Sequence, residues 1–139
     1  MSTRSAIGVM HGDKIKAIYC HSDGYLKYNG KVLLANYDSS KANHLVAMGD
    51  MSVLGKEIGE KIDFNDSMER DTDGISKQCR FYGRDRNESG TDFSVFFSDQ
   101  ELFDGVDAEY FYLMKDDAWF VSRGAEWTPL ADAILNPDY

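Results

Sequence analysis

The sequence predicts an α+β fold: a mostly antiparallel sheet of about five to six strands with two to three helices. Three observations lead there. Apolar runs of strand length recur near both ends of the chain, helical spacing is confined to its middle and tail, and the clearest strands are joined by hairpin-length connections. The 139 residues suit a single domain spanning 1–139, and a 13% aromatic content opposes disorder.

Residues 3–10 read as a first strand, 11–14 as a turn and 15–21 as a second strand, with Gly12-Asp13 between two apolar runs as the hairpin signal. Ser22-Asp23-Gly24 breaks the second strand. Val32, Leu33 and Tyr37 fall at helical spacing within 29–37, and Asp38-Ser39-Ser40 offers N-caps for a second helix through Met48. Residues 51–58 form a short Gly-punctuated segment. Residues 63–76 hold five acids and one arginine and read as an exposed loop. Strand character returns over 77–83, a polar turn follows over 84–91, and 93–97 is apolar enough for a strand. The clearest strands are 108–114 and 118–122, joined through Lys115-Asp116-Asp117. Residues 127–135 close the chain as a short helix with Pro129 at its first position.

Charge narrows the function classes. The net charge is −9, and it is uneven: +2 over 1–62 and −11 over 63–139. Direct nucleic-acid binding relies on a basic surface, which this balance does not provide. The acidic half reads either as a solvated face or as a mimic of nucleic-acid charge toward a basic partner. No apolar run approaches 18 residues, and residues 1–7 lack a signal-peptide core, so a soluble cytoplasmic protein away from membranes is expected. Cys20 and Cys79 are far apart and outside any C-x-x-C arrangement, which points to buried thiols rather than metal or redox use.

No catalytic constellation is expected. Asp71-x-Asp73-Gly74 suggests a calcium loop, but that alignment puts Arg80 at the position that needs a bidentate glutamate. His21-x-Asp23 is at most half a metal site, and no H-x-H or HExxH accompanies it. Cys20 lies in an apolar run, and its neighbour His21 points to the opposite strand face, which opposes a Cys–His dyad. Neither a Gly-x-Ser-x-Gly elbow nor a P-loop occurs. Two basic clusters remain. One is Thr3-Arg4-Ser5; the other is Arg80, Arg84 and Arg86 beside Phe81 and Tyr82. Guanidinium forks match phosphates and aromatic rings stack bases, so these clusters suit a small phosphorylated ligand carrying a base. The competing reading pairs Arg4 and Arg84 with local carboxylates such as Asp85 and Glu88.

Residues 1–8 (Met-Ser-Thr-Arg-Ser-Ala-Ile-Gly), residues 18–25 (Ile-Tyr-Cys-His-Ser-Asp-Gly-Tyr), Gly30, and Leu33 to Tyr37 resemble a widespread family of small phage-encoded proteins. Its pattern is M-S-T-R-S-x-I, then I-Y-C-H-x-D-G-Y, then a glycine and a helix ending in tyrosine. His44 to Leu54 and Phe81 to Arg86 also fit, so the resemblance covers about half the chain. The acidic linker and the C-terminal third fit loosely. The resemblance extends to phage anti-CBASS sponge proteins, which bind cyclic-dinucleotide immune signals and keep them from host effectors. It implies a non-enzymatic, cofactor-free binder acting in the host cytoplasm and forming a homo-oligomer. Arg4, flanked by Thr3 and Ser5, would contact a phosphate. His21, Asp23 and Tyr25 would line a deep pocket, and Arg84 with Arg86 would clamp a second phosphate. The aromatic excess at Tyr110, Phe111, Tyr112, Trp119 and Phe120 is a further motive for an oligomer. Two other functions stay open. One is an enzyme degrading a nucleotide signal, with His21 as acid or base and Asp23 orienting it. The other is an acidic inhibitor that occupies a basic nucleic-acid site on a host protein.

Overall fold

The computed structural model describes residues 3–139, so Met1 and Ser2 of the N-terminal motif lie outside the described residues. An α+β fold is present, built on an eight-stranded mixed sheet that is mostly antiparallel. Strands β1 (Ser5–His11) and β2 (Lys14–Cys20) form the expected hairpin, in register from Ser5 opposite Cys20 to His11 opposite Lys14. A π-helical turn (Leu26–Gly30) runs into α1 (Lys31–Asn36), and α2 (Ser39–Ala47) follows. The Asp38 carboxylate accepts the Lys41 N–H at 2.8 Å, which is the N-cap the sequence offers. Next come β3 (Met51–Val53), β4 (Arg80–Phe81), α3 (Tyr82–Arg86), β5 (Ser94–Phe96) and α4 (Asp99–Gly105). The chain closes with β6 (Tyr110–Lys115), β7 (Ala118–Ser122), β8 (Thr128–Pro129) and α5 (Leu130–Leu135).

The sheet order is β4-β3-β2-β1-β6-β7-β8, with β5 on β2 beside β3. The centre departs from a purely antiparallel plan, because β1 runs parallel to β6 and β2 parallel to β3. Alternation along the strands divides the interior into two layers. Ile7, Val9, Ile18, Cys20, Tyr112, Met114, Trp119 and Val121 face the helices α1, α2 and α5. Ala6, Ile15, Ala17, Phe111 and Leu113 face α4 through Leu102. Phe111, Tyr112 and Trp119 are thus core residues, and Tyr110 stacks on Tyr112 under the Arg123 guanidinium. The aromatic excess is largely absorbed within one chain, which removes it as a motive for oligomerisation.

The sheet has eight strands rather than five or six, and several elements differ from the expectation. The strand foreseen over 77–83 is only Arg80–Phe81, and the foreseen turn after it contains α3. The cause is Asp85, whose carboxylate accepts the Phe81 N–H at 2.8 Å and folds the chain into a helical turn. Helix α4 was not anticipated. The closing helix begins after Pro129, which sits in β8 and precedes the first helical residue.

The β6–β7 hairpin turns on two residues, Asp116 and Asp117, both in the left-handed region at φ 53° and 60°. That geometry is a type I′ turn, in which Asn-Gly is the preferred pair. Replacing Asp116-Asp117 by Asn-Gly is expected to raise stability by about 1 kcal/mol. Thermal melting checks this; an unchanged or lower Tm contradicts it.

Candidate ligand-binding face

The two motif blocks meet at the N-terminal end of β1. Gly24 N–H donates to the Thr3 carbonyl at 2.8 Å, and Tyr112 Oη donates to the Gly24 carbonyl at 2.6 Å. A Cβ on Gly24 would lie 2.8 Å from Ser5 Cβ and 2.9 Å from the Thr3 oxygen, so only glycine permits this approach. Asp23 takes φ 57° to enter the turn, and its carbonyl accepts the Asn29 N–H. Ser5 is fully buried, and its Oγ accepts from Asn29 Nδ2 at 3.1 Å. Thr3, Ser5 and Asp23 therefore serve the fold at this joint. Tyr25 stands 39% exposed beside it.

Arg84 is also committed to the fold. Its guanidinium donates to Asp85, to the carbonyls of Ile58 and Gly59, and to the carbonyl of Cys79, at 2.9–3.1 Å. It also lies 4.8 Å above the Phe81 ring centroid. A phosphate clamp at Arg84 would have to break this network, and the Asp85 contact is the local pairing that the sequence offers as the competing reading. The acceptor Asp85 is buried. Burial opposes its ionisation, but hydrogen bonds from Arg84 and from the Ile62 and Phe81 N–H groups outweigh it and hold the carboxyl below the usual range.

The remaining predicted residues share a face with others that the sequence did not single out. Cys20, Met51 and Phe81 lie on neighbouring strands and point into the core. Alternation sends Tyr19 and Ser52 to the other side, where His21 meets Tyr19; Arg80 precedes Phe81 across an irregularity in the β3–β4 register, and Tyr82 opens α3. Arg4, on the opposite pleat from Ser5, joins them. Its guanidinium and the Tyr82 phenol both act electrostatically on Tyr19. Tyr19 Oη lies 2.8 Å from His21 Nδ1. Burial raises the Tyr19 phenol, so it keeps its proton at neutral pH. Asp23 plays no orienting part for His21. Tyr82 is raised by burial as well, hydrogen-bonds with Ser52, and stacks on Phe64 with 5.5 Å between centroids. The guanidinium carbons of Arg80 and Arg86 lie 5.4 and 5.1 Å from the same Phe64 ring.

Magnitudes decide which arginines are available. Arg4 pairs with Asp107 at 2.8 Å, with the two side chains 45% and 92% exposed; Arg86 reaches Glu88 only at 3.7 Å. Exposed pairs of this kind are worth about 0–1 kcal/mol, less than the about 1.5–3 kcal/mol of a charge-assisted contact to a phosphate. Arg4 and Arg86 can be surrendered to a ligand, whereas Arg84 cannot. A groove of about 810 Å³ runs elsewhere, between Leu34, Tyr37, Ser40, Trp119 and Pro129, and holds none of them.

Cys20 is fully buried and its thiol is pushed up to about 12 by burial, so it does not act as a nucleophile at neutral pH. Among the described residues, no group of three or more His, Cys, Asp or Glu side chains is placed to hold a metal ion. No helix of the described residues is long and apolar enough to cross a membrane. Phe64 went unnoticed in the sequence because it sits inside the acidic loop, and Tyr19 because it reads as one more apolar strand residue. In comparisons with known proteins, no family model, no curated protein and no solved structure matches the chain.

Proposed function

We propose that the protein is a non-enzymatic binder of a cyclic-dinucleotide signal, acting in the host cytoplasm as an anti-defence sponge. The observation that carries this reading is the outer face of the sheet around Tyr19 and Tyr82. There, in a chain of net charge −9, basic and aromatic side chains gather outside both cores. Arg4 and Arg86 supply phosphate forks, His21 supplies an imidazole, and Tyr82 with Phe64 supplies a stacking platform. Base stacking of this kind is worth about 1–3 kcal/mol per base. A sponge needs no bond-making machinery, and His21 is oriented by a phenol rather than by a carboxylate.

Titration calorimetry against a panel of cyclic dinucleotides tests the reading. Arg4→Lys keeps the charge but loses the fork, and is expected to weaken binding by about 1.5–3 kcal/mol. Tyr82→Ala should cost about 1–3 kcal/mol of affinity. Ligand recovered intact after heat denaturation supports sequestration; a linear product supports an enzyme instead. Equal affinities in wild type and both variants would remove this face from the binding site.

A further inference from the structure

A second charged site lies on the helix side of the sheet, away from the Tyr19–Tyr82 face. Lys27, Lys31 and Lys56 line a cleft of about 440 Å³ with Val32, Ile75 and Asp73 among its walls. Val32 belongs to the core layer under α1, which places the cleft on that side. In a chain with 24 acids and 15 Lys and Arg, a concavity with three lysines runs against the composition. Lys27 and Lys31 follow each other by four residues through the π-turn into α1, and among the described residues neither has a carboxylate within 4.0 Å. Like charges at this spacing repel. Lys56 is occupied differently: its Nζ lies 2.7 Å from Asp73 and 3.0 Å from Asp71. Counting both carboxylates, the three ammonium groups leave the cleft with a surplus of one positive charge. Asp73 is half-exposed at the tip of a turn in which its own Oδ1 accepts the Ile75 N–H.

We infer that this cleft binds a polyanion carrying two or more phosphoryl groups, with Asp73 as the resident competitor for Lys56. Lys27 and Lys31 hold one phosphoryl group, and Lys56 exchanges the Asp73 carboxylate for another. Each ammonium offers three donors without geometric demand, which suits a flexible phosphate chain. Val32 and Ile75 leave an apolar wall beside the charges.

The test is calorimetry of the full chain with tripolyphosphate and, in a second arm, with ATP, at low and high salt. Saturable one-site binding that weakens with salt is expected. The Lys27→Gln/Lys31→Gln variant should lose about tenfold or more in affinity at unchanged Tm, and Asp73→Asn should bind more tightly than wild type. Binding of tripolyphosphate alone assigns a free polyphosphate; comparable binding of ATP assigns the phosphate chain of a nucleotide. Lys14→Gln, at the start of β2 and outside both sites, should leave both arms unchanged, which separates this site from a general effect of net charge. No saturable binding in wild type, equal affinity in the lysine variant, or weaker binding by Asp73→Asn would overturn the inference.

Discussion

Replacing Arg84 by methionine is expected to destabilise the fold by about 3–5 kcal/mol. The guanidinium joins β4, α3 and the segment around Ile58 through three carbonyls and the Asp85 carboxylate. Methionine fills a similar volume but leaves Asp85, whose side chain is fully buried, without its cation. The same carboxylate accepts the Phe81 and Ile62 N–H groups, so its loss of balance reaches both neighbours. Because Asp85 titrates lower in the folded chain than in the unfolded one, its contribution is complete above the unfolded value of about 4 and fades as pH falls through the folded value. Urea unfolding at neutral and acid pH measures this. Wild type should lose part of its advantage over Arg84→Met in acid, whereas a loss under about 1 kcal/mol at neutral pH would mean that Arg84 is free for a ligand.

The second large effect is expected at Gly55. A Cβ built there meets the Gln78 carbonyl carbon at 2.2 Å and its oxygen at 2.3 Å. Both atoms are backbone, and they are fixed by the ladder in which Lys56 N–H donates to the Ser76 carbonyl and Glu57 N–H to the Lys77 carbonyl. Tyr37 Oη also donates to the Gly55 carbonyl at 2.8 Å, and Gly55 N–H donates to Cys79 Sγ at 3.3 Å. Gly55→Ala cannot be absorbed by a rotamer change and should cost about 3 kcal/mol or more. Gly74→Ala is the control: nothing lies within 4 Å of its would-be Cβ, and only its positive φ of 81° is penalised, by about 1 kcal/mol. Equal effects of the two substitutions would contradict the close backbone approach at Gly55.

The parts of the fold that were legible in the sequence are those set by local pattern. The β1–β2 and β6–β7 hairpins follow from apolar runs flanking short polar turns, and α2 follows from its Asp38 cap. Helix α4 has a local capping signal of its own. Ser98 and Glu101 form an S-x-x-E pair; Ser98 Oγ accepts the Glu101 N–H, and Glu101 reaches back to the Phe97 N–H. The parallel pairing of β1 with β6 joins residues about a hundred positions apart, and no local spacing announces it.

The candidate site was legible only in part, for the same reason. Arg4, His21 and Arg86 stand on the outer face, but Ser5 and Arg84 look identical to them in the sequence until the pleat and the Asp85 network assign them inward. Phe64 reaches the site from the acidic loop, and Lys27, Lys31 and Lys56 converge from separate segments. Composition recorded an acidic protein; only the fold gathers some of its cations into two places.

On the proposed function, a nucleotide seats on the Tyr19–Tyr82 face. Backbone amide mapping by NMR during titration with a cyclic dinucleotide tests it most directly. The largest shifts should fall at Arg4, Tyr19, His21, Ser52, Tyr82 and Arg86, while the groove residues Leu34, Ser40 and Trp119 stay still. Shifts confined to that groove, or no saturable shift with any cyclic dinucleotide, would contradict it.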